Sequence, residues 1–480
     1  MSDKLPEIFL QQMQAMLPPS EFAAFCDTYE SPTVRGLRLN KLKFPCGMTP
    51  PLRDILPDVG TRTNPTGSCK GGADSTESIV PWCTEGRYYP ETARPGKSIF
   101  FHAGLFYIQE PSAMCPVEVL QPQPGDFVLD LCAAPGGKSA QIAGHMQGQG
   151  LLMANDASPT RCRALVHNLE RMGVTNAVVT TELPKKLADR FSEFFDKILV
   201  DAPCSGEGMF RRDPDAVKAY TANKPEACAA MQTEILRYAA KMLKPGGRLV
   251  YSTCTFNMKE NENVICDFLK NHSDFAAIEI DHAALGISRG FEPLPQAGRI
   301  FPHLAQGEGH FVVLLERQRG VTSPENTAPR NCKPKETPRQ ARNDGLANFT
   351  TFCDHFLTTP LPPGVIVPHG VNLYLQPTPL DLHGLRVARS GWYLGENAKG
   401  RFVPSQALAM GLRKQDVRHS VELSEENALR YLRGESLDAN DIQIPDKPWI
   451  MLCYMGFPLG WARLVQGRLK SNLPVGWAIT

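Results

Sequence analysis

The 480 residues are too many for one core and fit two to four domains of about 100–200 residues each. Lys and Arg number 51 against 50 Asp and Glu, so a globally basic chain is excluded and any surface for an anionic polymer must be a local patch. Fourteen cysteines without a CxxC pair or a His/Cys cluster of zinc spacing exclude a disulfide framework and predict reduced thiols with no bound metal, while the lack of a run of about 18 apolar residues predicts no membrane span and a cytoplasmic protein.

Along the chain, residues 1–17 place Phe9, Met13, Met16 and Leu17 on one helical face, which reads as a packing helix rather than a signal peptide. Residues 1–120 form an α+β lead-in, within which 61–78 are small and polar and read as a surface loop. Residues 121–318 alternate strand and helix patterns, the signature of a doubly wound, mostly parallel α/β sheet. Here FVLDLC (127–132), LLMANDA (151–157), DKILVDAPC (196–204) and RLVYSTC (248–254) read as strands, and HFVVLLER (310–317) is expected to close the sheet. Ser158 is a good N-cap before Pro159, and a further helix is expected at 229–243. Residues 319–345 read as a linker with basic residues Arg330, Lys333, Lys335, Arg339 and Arg342. Residues 346–480 return to short apolar runs broken by Gly and Pro, one or two compact β-rich modules.

The turn Cys132-Ala133-Ala134-Pro135-Gly136-Gly137-Lys138 joins the first strand of the sheet to its helix, the position where open α/β sheets bind ligands. Its two glycines allow close backbone approach, and Asp156, about twenty residues on, ends the second strand where a carboxylate can accept from ribose hydroxyls. The turn is neither GxGxxG nor GxxxxGK[ST], so a nucleoside cofactor other than a dinucleotide or a nucleoside triphosphate is implied.

Two further strands end on Asp201-Ala202-Pro203-Cys204 and on Ser252-Thr253-Cys254, so two thiols and a carboxylate converge beside that turn. A cysteine pair in such a place suits covalent catalysis on a cytosine ring. C5 is a poor nucleophile until a thiolate adds at C6, and the ring then attacks a sulfonium methyl. Asp201 could hold the base by its N3/N4 edge. Which cysteine is the nucleophile is left open by the chemistry.

CAAPGGK (132–138), DAPCSGEG (201–208) and YSTCT (251–255) resemble the Sun/Fmu-type RNA cytosine-5 methyltransferases. Arg38-Leu39-Asn40, FYIQEPSAM (106–114), KPGG (244–247) and the Gly-His-Phe of EGHFVVLL (308–315) extend the likeness. The stretches 392–410 and 456–474 resemble the tail modules of the bacterial RsmF/YebU group, PUA-like RNA-binding modules in which Arg463, Arg468 and Lys470 stand near Phe457 and Trp461. The resemblance implies a Rossmann-like core that uses S-adenosylmethionine. It makes Cys254 the nucleophile and Cys204 the residue that helps release the product. It places Lys138 near the active centre, and residues 132–138, Asp156, Arg161 and Asp201 around the cofactor. Many members carry an Asp that meets the adenine. Here Glu182 stands in that stretch. The expected substrate is RNA, small-subunit 16S ribosomal RNA by the RsmF-like tail, with no DNA partner and a monomeric enzyme. A ribosome-assembly factor without catalysis and a tRNA methyltransferase are the rival readings.

Overall fold

The computed structural model describes residues 5–44, 79–320, 343–398, 400–438 and 449–479. The polar segment 61–78 and the five basic residues expected in the linker lie outside them.

The chain opens with helices Glu7–Met16 and Pro19–Asp27. Phe9 and Met13 are fully buried and cluster with Phe25, Phe210, Phe256 and Phe301, so the first helix is a packing element, as its apolar face predicts. Strands β1 (Gly36–Leu39), β2 (Ile79–Val80), β3 (Cys83–Tyr88) and β4 (Phe106–Ile108) then form a small antiparallel sheet in the order β2-β3-β1-β4.

The central sheet is built from β5 (Phe127–Asp130), β6 (Leu151–Asn155), β7 (Ala177–Thr180), β8 (Phe195–Asp201) and β9 (Leu243–Thr253), all parallel, in the order β9-β8-β5-β6-β7. Alternate residues point to opposite faces. Val128, Leu152, Leu199 and Val250 join one core with the helices Gly137–Met146 and Pro159–Arg171. Leu129, Met153, Ile198 and Leu249 join a second core with the helices Lys224–Met242 and Glu262–Asn271. Covering both faces is what makes these strands continuous apolar runs. The strand order reverses between β5 and β8, so the crevice at their carboxyl ends is the switch point at which such sheets bind ligands.

Further strands follow: β10 (Phe275–Ile278), β11 (Ser288–Arg289), β12 (Gly298–Ile300) and β13 (His310–Arg317). β13 lies antiparallel to β9 but does not close the sheet, because β12 and β10 pair with it and β11 continues beyond β12. The opposite edge is covered from an unexpected source. The strand Val387–Arg389, some seventy residues past β13, pairs antiparallel with β7, and Thr181 donates its backbone N–H to the Arg386 carbonyl at 2.8 Å.

The C-terminal region forms two sheets. Four strands between Val365 and Pro404 make the first, and five between Ser420 and Ser471 make the second. The second packs against the N-terminal sheet through a shared core of Leu37, Phe100 and Phe106 with Val421, Leu452 and Leu459. No helix among the described residues is long and apolar enough to cross a membrane.

Candidate active site

The cofactor-side turn is locked to its neighbours before any ligand arrives. Ala133 donates its N–H to the Asn155 carbonyl at 2.8 Å, and Ala134 donates to the Asp156 carboxylate at 3.3 Å. Asp156 also accepts from the Ser158 N–H at 2.9 Å and meets Arg161 at 3.3 Å. Arg161 in turn donates to the Ala134 carbonyl, so turn, acid and arginine form one unit. Ser158 caps the helix Pro159–Arg171 as predicted, its hydroxyl accepting from the Arg161 N–H. Cys132 is half-buried at the start of the turn, and the Pro135 carbonyl accepts from Asn168. The glycines have a steric task besides any approach to a ligand. Gly136 has φ +110°, and a Cβ there would meet Leu165 at 3.0 Å. A Cβ at Gly137 would meet Tyr107 at 3.1 Å.

Arg38 explains one motif quoted from the sequence. It donates to the Gly137 carbonyl at 2.9 Å and to Gln109 and Gln141, fastening the N-terminal sheet to the cofactor turn. Asn40 does the same for the end of the next helix, donating to the Gly104 and Met172 carbonyls at 2.7 and 2.8 Å. Glu182 is buried just past β7, where its carboxylate is held by Lys186 and by the Arg386 N–H and guanidinium.

Asp130, at the end of β5, was not singled out in the sequence. It is fully buried, one carboxylate oxygen accepts from the Ser139 hydroxyl at 2.6 Å, and the other has no partner among the described residues. Burial pushes its carboxyl up to about 7. The unfolded chain therefore loses this proton near pH 4 and the folded chain near pH 7. Stability falls as pH rises between those values and levels off above them. Asp130→Asn is expected to remove a loss of about 1.4 kcal/mol per pH unit across that window, as read from paired denaturant melts. A wild-type minus variant difference that does not change with pH would refute this.

The two predicted cysteines do meet. Cys204 Sγ and Cys254 Sγ are 3.3 Å apart. β8 and β9 are paired with Asp201 opposite Ser252, which brings their two terminal loops side by side. Those loops are laced together. Gly208 donates to the Cys254 carbonyl at 2.8 Å, and the Ser205 and Thr255 hydroxyls bond at 2.8 Å. The buried Glu260 carboxylate accepts from the Ser205 N–H at 2.9 Å. Glu207, also buried, accepts from Tyr220, from the Phe256 N–H and from Asn257. Gln12 of the first helix reaches the same carboxylate at 3.2 Å.

Lys138 crosses from the first turn of its helix to Asp201 at 2.7 Å. Ser252 donates to the other Asp201 oxygen at 2.8 Å, and buried His310 stands 3.6 Å from it. Burial alone would favour a neutral Asp201, but Lys138 and then His310 hold it well below the usual carboxylate range. Burial likewise opposes the Lys138 charge, and Asp201 outweighs it and holds the ammonium above its ordinary value, with Cys254 adding to the effect. Cys204 is pushed far above the ordinary thiol value by its hydrogen bond to Cys254, by burial and by Glu260.

A doubly wound sheet with an antiparallel strand inserted beside β9, a nucleoside-type cradle at the switch point and a charged pocket facing it define a Rossmann-like S-adenosylmethionine-dependent methyltransferase. Residues 117–316 match the model of 16S rRNA methyltransferase RsmB/F. Residues 5–111 match the N-terminal domain of 16S rRNA methyltransferase RsmF, 351–412 the RsmF first C-terminal domain, and 418–479 the methyltransferase RsmF PUA domain. The ribosomal RNA small subunit methyltransferase F of Erwinia tasmaniensis is 32% identical over 98% of this chain and 96% of its own. That of Shewanella amazonensis is 32% identical over 99% and 97%. A solved methyltransferase homologue from Pyrococcus horikoshii is 30% identical, with a TM-score of 0.53 over 65% of this chain and 95% of its own. NSun6 from the same organism, at 22% identity and a TM-score of 0.55 over 65% and 98%, shares the fold. The chain belongs to the RsmB/F family of rRNA methyltransferases and carries the RsmF-type flanking domains.

Proposed function

We propose that the chain methylates C5 of a cytidine in 16S rRNA through a covalent adduct between Cys254 and C6 of the base. The observation that carries this is the pair of thiols 3.3 Å apart in unequal surroundings. Its hydrogen bond to Cys254, burial and Glu260 keep Cys204 protonated. Cys254 lies within electrostatic reach of the Lys138 ammonium. When bound, S-adenosylmethionine supplies a methyl on a sulfonium. Residues 132–138, Asp156 and Arg161 would hold it, the Asp156 carboxylate taking the ribose hydroxyls. Glu182, its carboxylate steadied by Lys186 and Arg386, would stand on the adenine side.

The target base must leave its stack to reach this crevice. Ionised Asp201 accepts from its N4 amino group, oriented by Lys138, Ser252 and His310. Cys254 adds to C6, C5 takes the methyl group as the cofactor departs as its thioether, and a base removes the C5 proton so that the C–H electrons re-form the ring double bond and expel the Cys254 thiolate from C6. The Cys204 S–H, already within hydrogen-bond distance of Cys254, donates to the departing thiolate and so assists release.

The test incubates purified protein and methyl-labelled cofactor with unmodified 16S rRNA, small ribosomal subunits and tRNA, then digests the RNA to nucleosides. Label in 5-methylcytidine from 16S rRNA or the subunit is expected. Label in another nucleoside, or in tRNA alone, overturns the reading. No label in any RNA favours an assembly factor.

A further inference from the structure

A second concave site lies away from the thiols. The segment Gly96–His102, the helix Pro159–Arg171 and the last described residues meet around a groove of about 510 Å³. Its cations are Lys97, Arg171 and Arg433, and its rings include Phe101, His167 and Trp477. No Asp or Glu is among the described residues that line it. In a chain whose charges nearly cancel, three cations without an acid make a local positive patch.

The walls are preformed. Trp477 packs against His167 with ring centroids 4.5 Å apart. The Arg171 guanidinium lies 3.9 Å over Phe101 and donates to its carbonyl at 2.7 Å. Burial lowers His102 to about 4 and lowers His167 as well, so both rings are neutral surfaces at cellular pH. His102 Nε2 is shielded from water with no hydrogen-bond partner among the described residues. Lys97 and Arg433 are exposed at the rim. An adjoining depression shares Leu429 and Arg433 but carries Glu425, Glu426 and Glu435, which repel phosphate and bound the groove on that side.

We propose that this groove binds an unstacked nucleotide of the RNA substrate, its base against Trp477 and His167 and its flanking phosphates on Lys97 and Arg433. Aromatic side chains hold splayed RNA bases in this way, and exposed cations take the backbone. His167 of this groove stands six positions, about 9 Å along the same helix, from Arg161 at the cofactor turn. The inference rests on the RNA-methyltransferase reading, and the test separates the two.

The probe is an unmodified 16S rRNA transcript, bound to wild type, to the double variant Lys97→Gln/Arg433→Gln and to Lys270→Gln, which removes an exposed lysine elsewhere. Filter binding across a salt series should show the double variant about tenfold weaker, with its log–log salt slope smaller by about 1.5. Lys270→Gln should match wild type. Trp477→Ala should raise KM for the RNA with kcat held, and Trp477→Phe should restore most of the loss. A double variant with wild-type affinity and slope overturns the groove. Wild type that neither binds nor methylates the transcript overturns the rRNA reading instead.

Discussion

Cys254→Ala should lower methyl transfer to less than about a thousandth of the wild-type rate, because the reaction then has no group to convert the ring into a nucleophile. Cys204→Ala should act differently. Addition and methylation would proceed, but the departing thiolate loses the neighbour now 3.3 Å away. The enzyme should stall as a protein–RNA adduct that survives denaturation. The doubly substituted chain should form no adduct. Gel analysis of denatured reactions, beside methyl incorporation, reads all three. Transfer by Cys254→Ala, or an adduct that forms in its absence, would reverse the two roles.

A large effect on stability is expected from a pair that never touches substrate. Arg299 and Glu262 are both buried and joined by two bonds, at 2.6 and 2.8 Å. Arg299 also donates to the Phe256 carbonyl at 2.9 Å, two residues past Cys254, and stands over the rings of Phe291 and Phe311. Removing one charge leaves the other buried and unpaired, so Glu262→Gln should cost about 3–5 kcal/mol. For a chain of this size the melting temperature should drop by about 3–5 °C. Removing both charges, with Arg299→Met and Glu262→Leu, should recover most of the loss, since no charge is then stranded. A Glu262→Gln melt within a degree of wild type would show that the pair adds nothing.

The central sheet and its site were legible because the chemistry sits at strand ends. β5, β6, β8 and β9 are long apolar runs, and the turn 132–138, Asp156, Asp201, Cys204 and Cys254 are their terminal residues. The spacing of the motifs therefore implied their convergence. The pairing of Lys138 with Asp201 was not implied, because it depends on how far one helix turn reaches across the crevice. In the sequence His310 and Ser252 stand only as parts of motifs, and nothing there marks Glu260. Their roles arise from the antiparallel β13 and from a loop folding back, neither of which has a sequence period. Asp130 reads as one more residue of a buried strand. Its lack of a second partner shows only in three dimensions. The groove under Trp477 draws on three distant parts of the chain, and no local pattern joins them.

The strand Val387–Arg389 on the edge of β7 also bears on how the chain can be divided. By chain order the match to the methyltransferase family model ends at residue 316, and a fragment stopping near residue 320 would look complete. In space it would be missing its last strand. The backbone groups of β7 that face away from β6 would lose their partners, and Glu182 would lose Arg386. An apolar strand bared in this way is a template for pairing with another copy. The excised domain should therefore be prone to self-association, and the unit that folds cleanly is bounded by the return of the chain to the sheet rather than by its first departure.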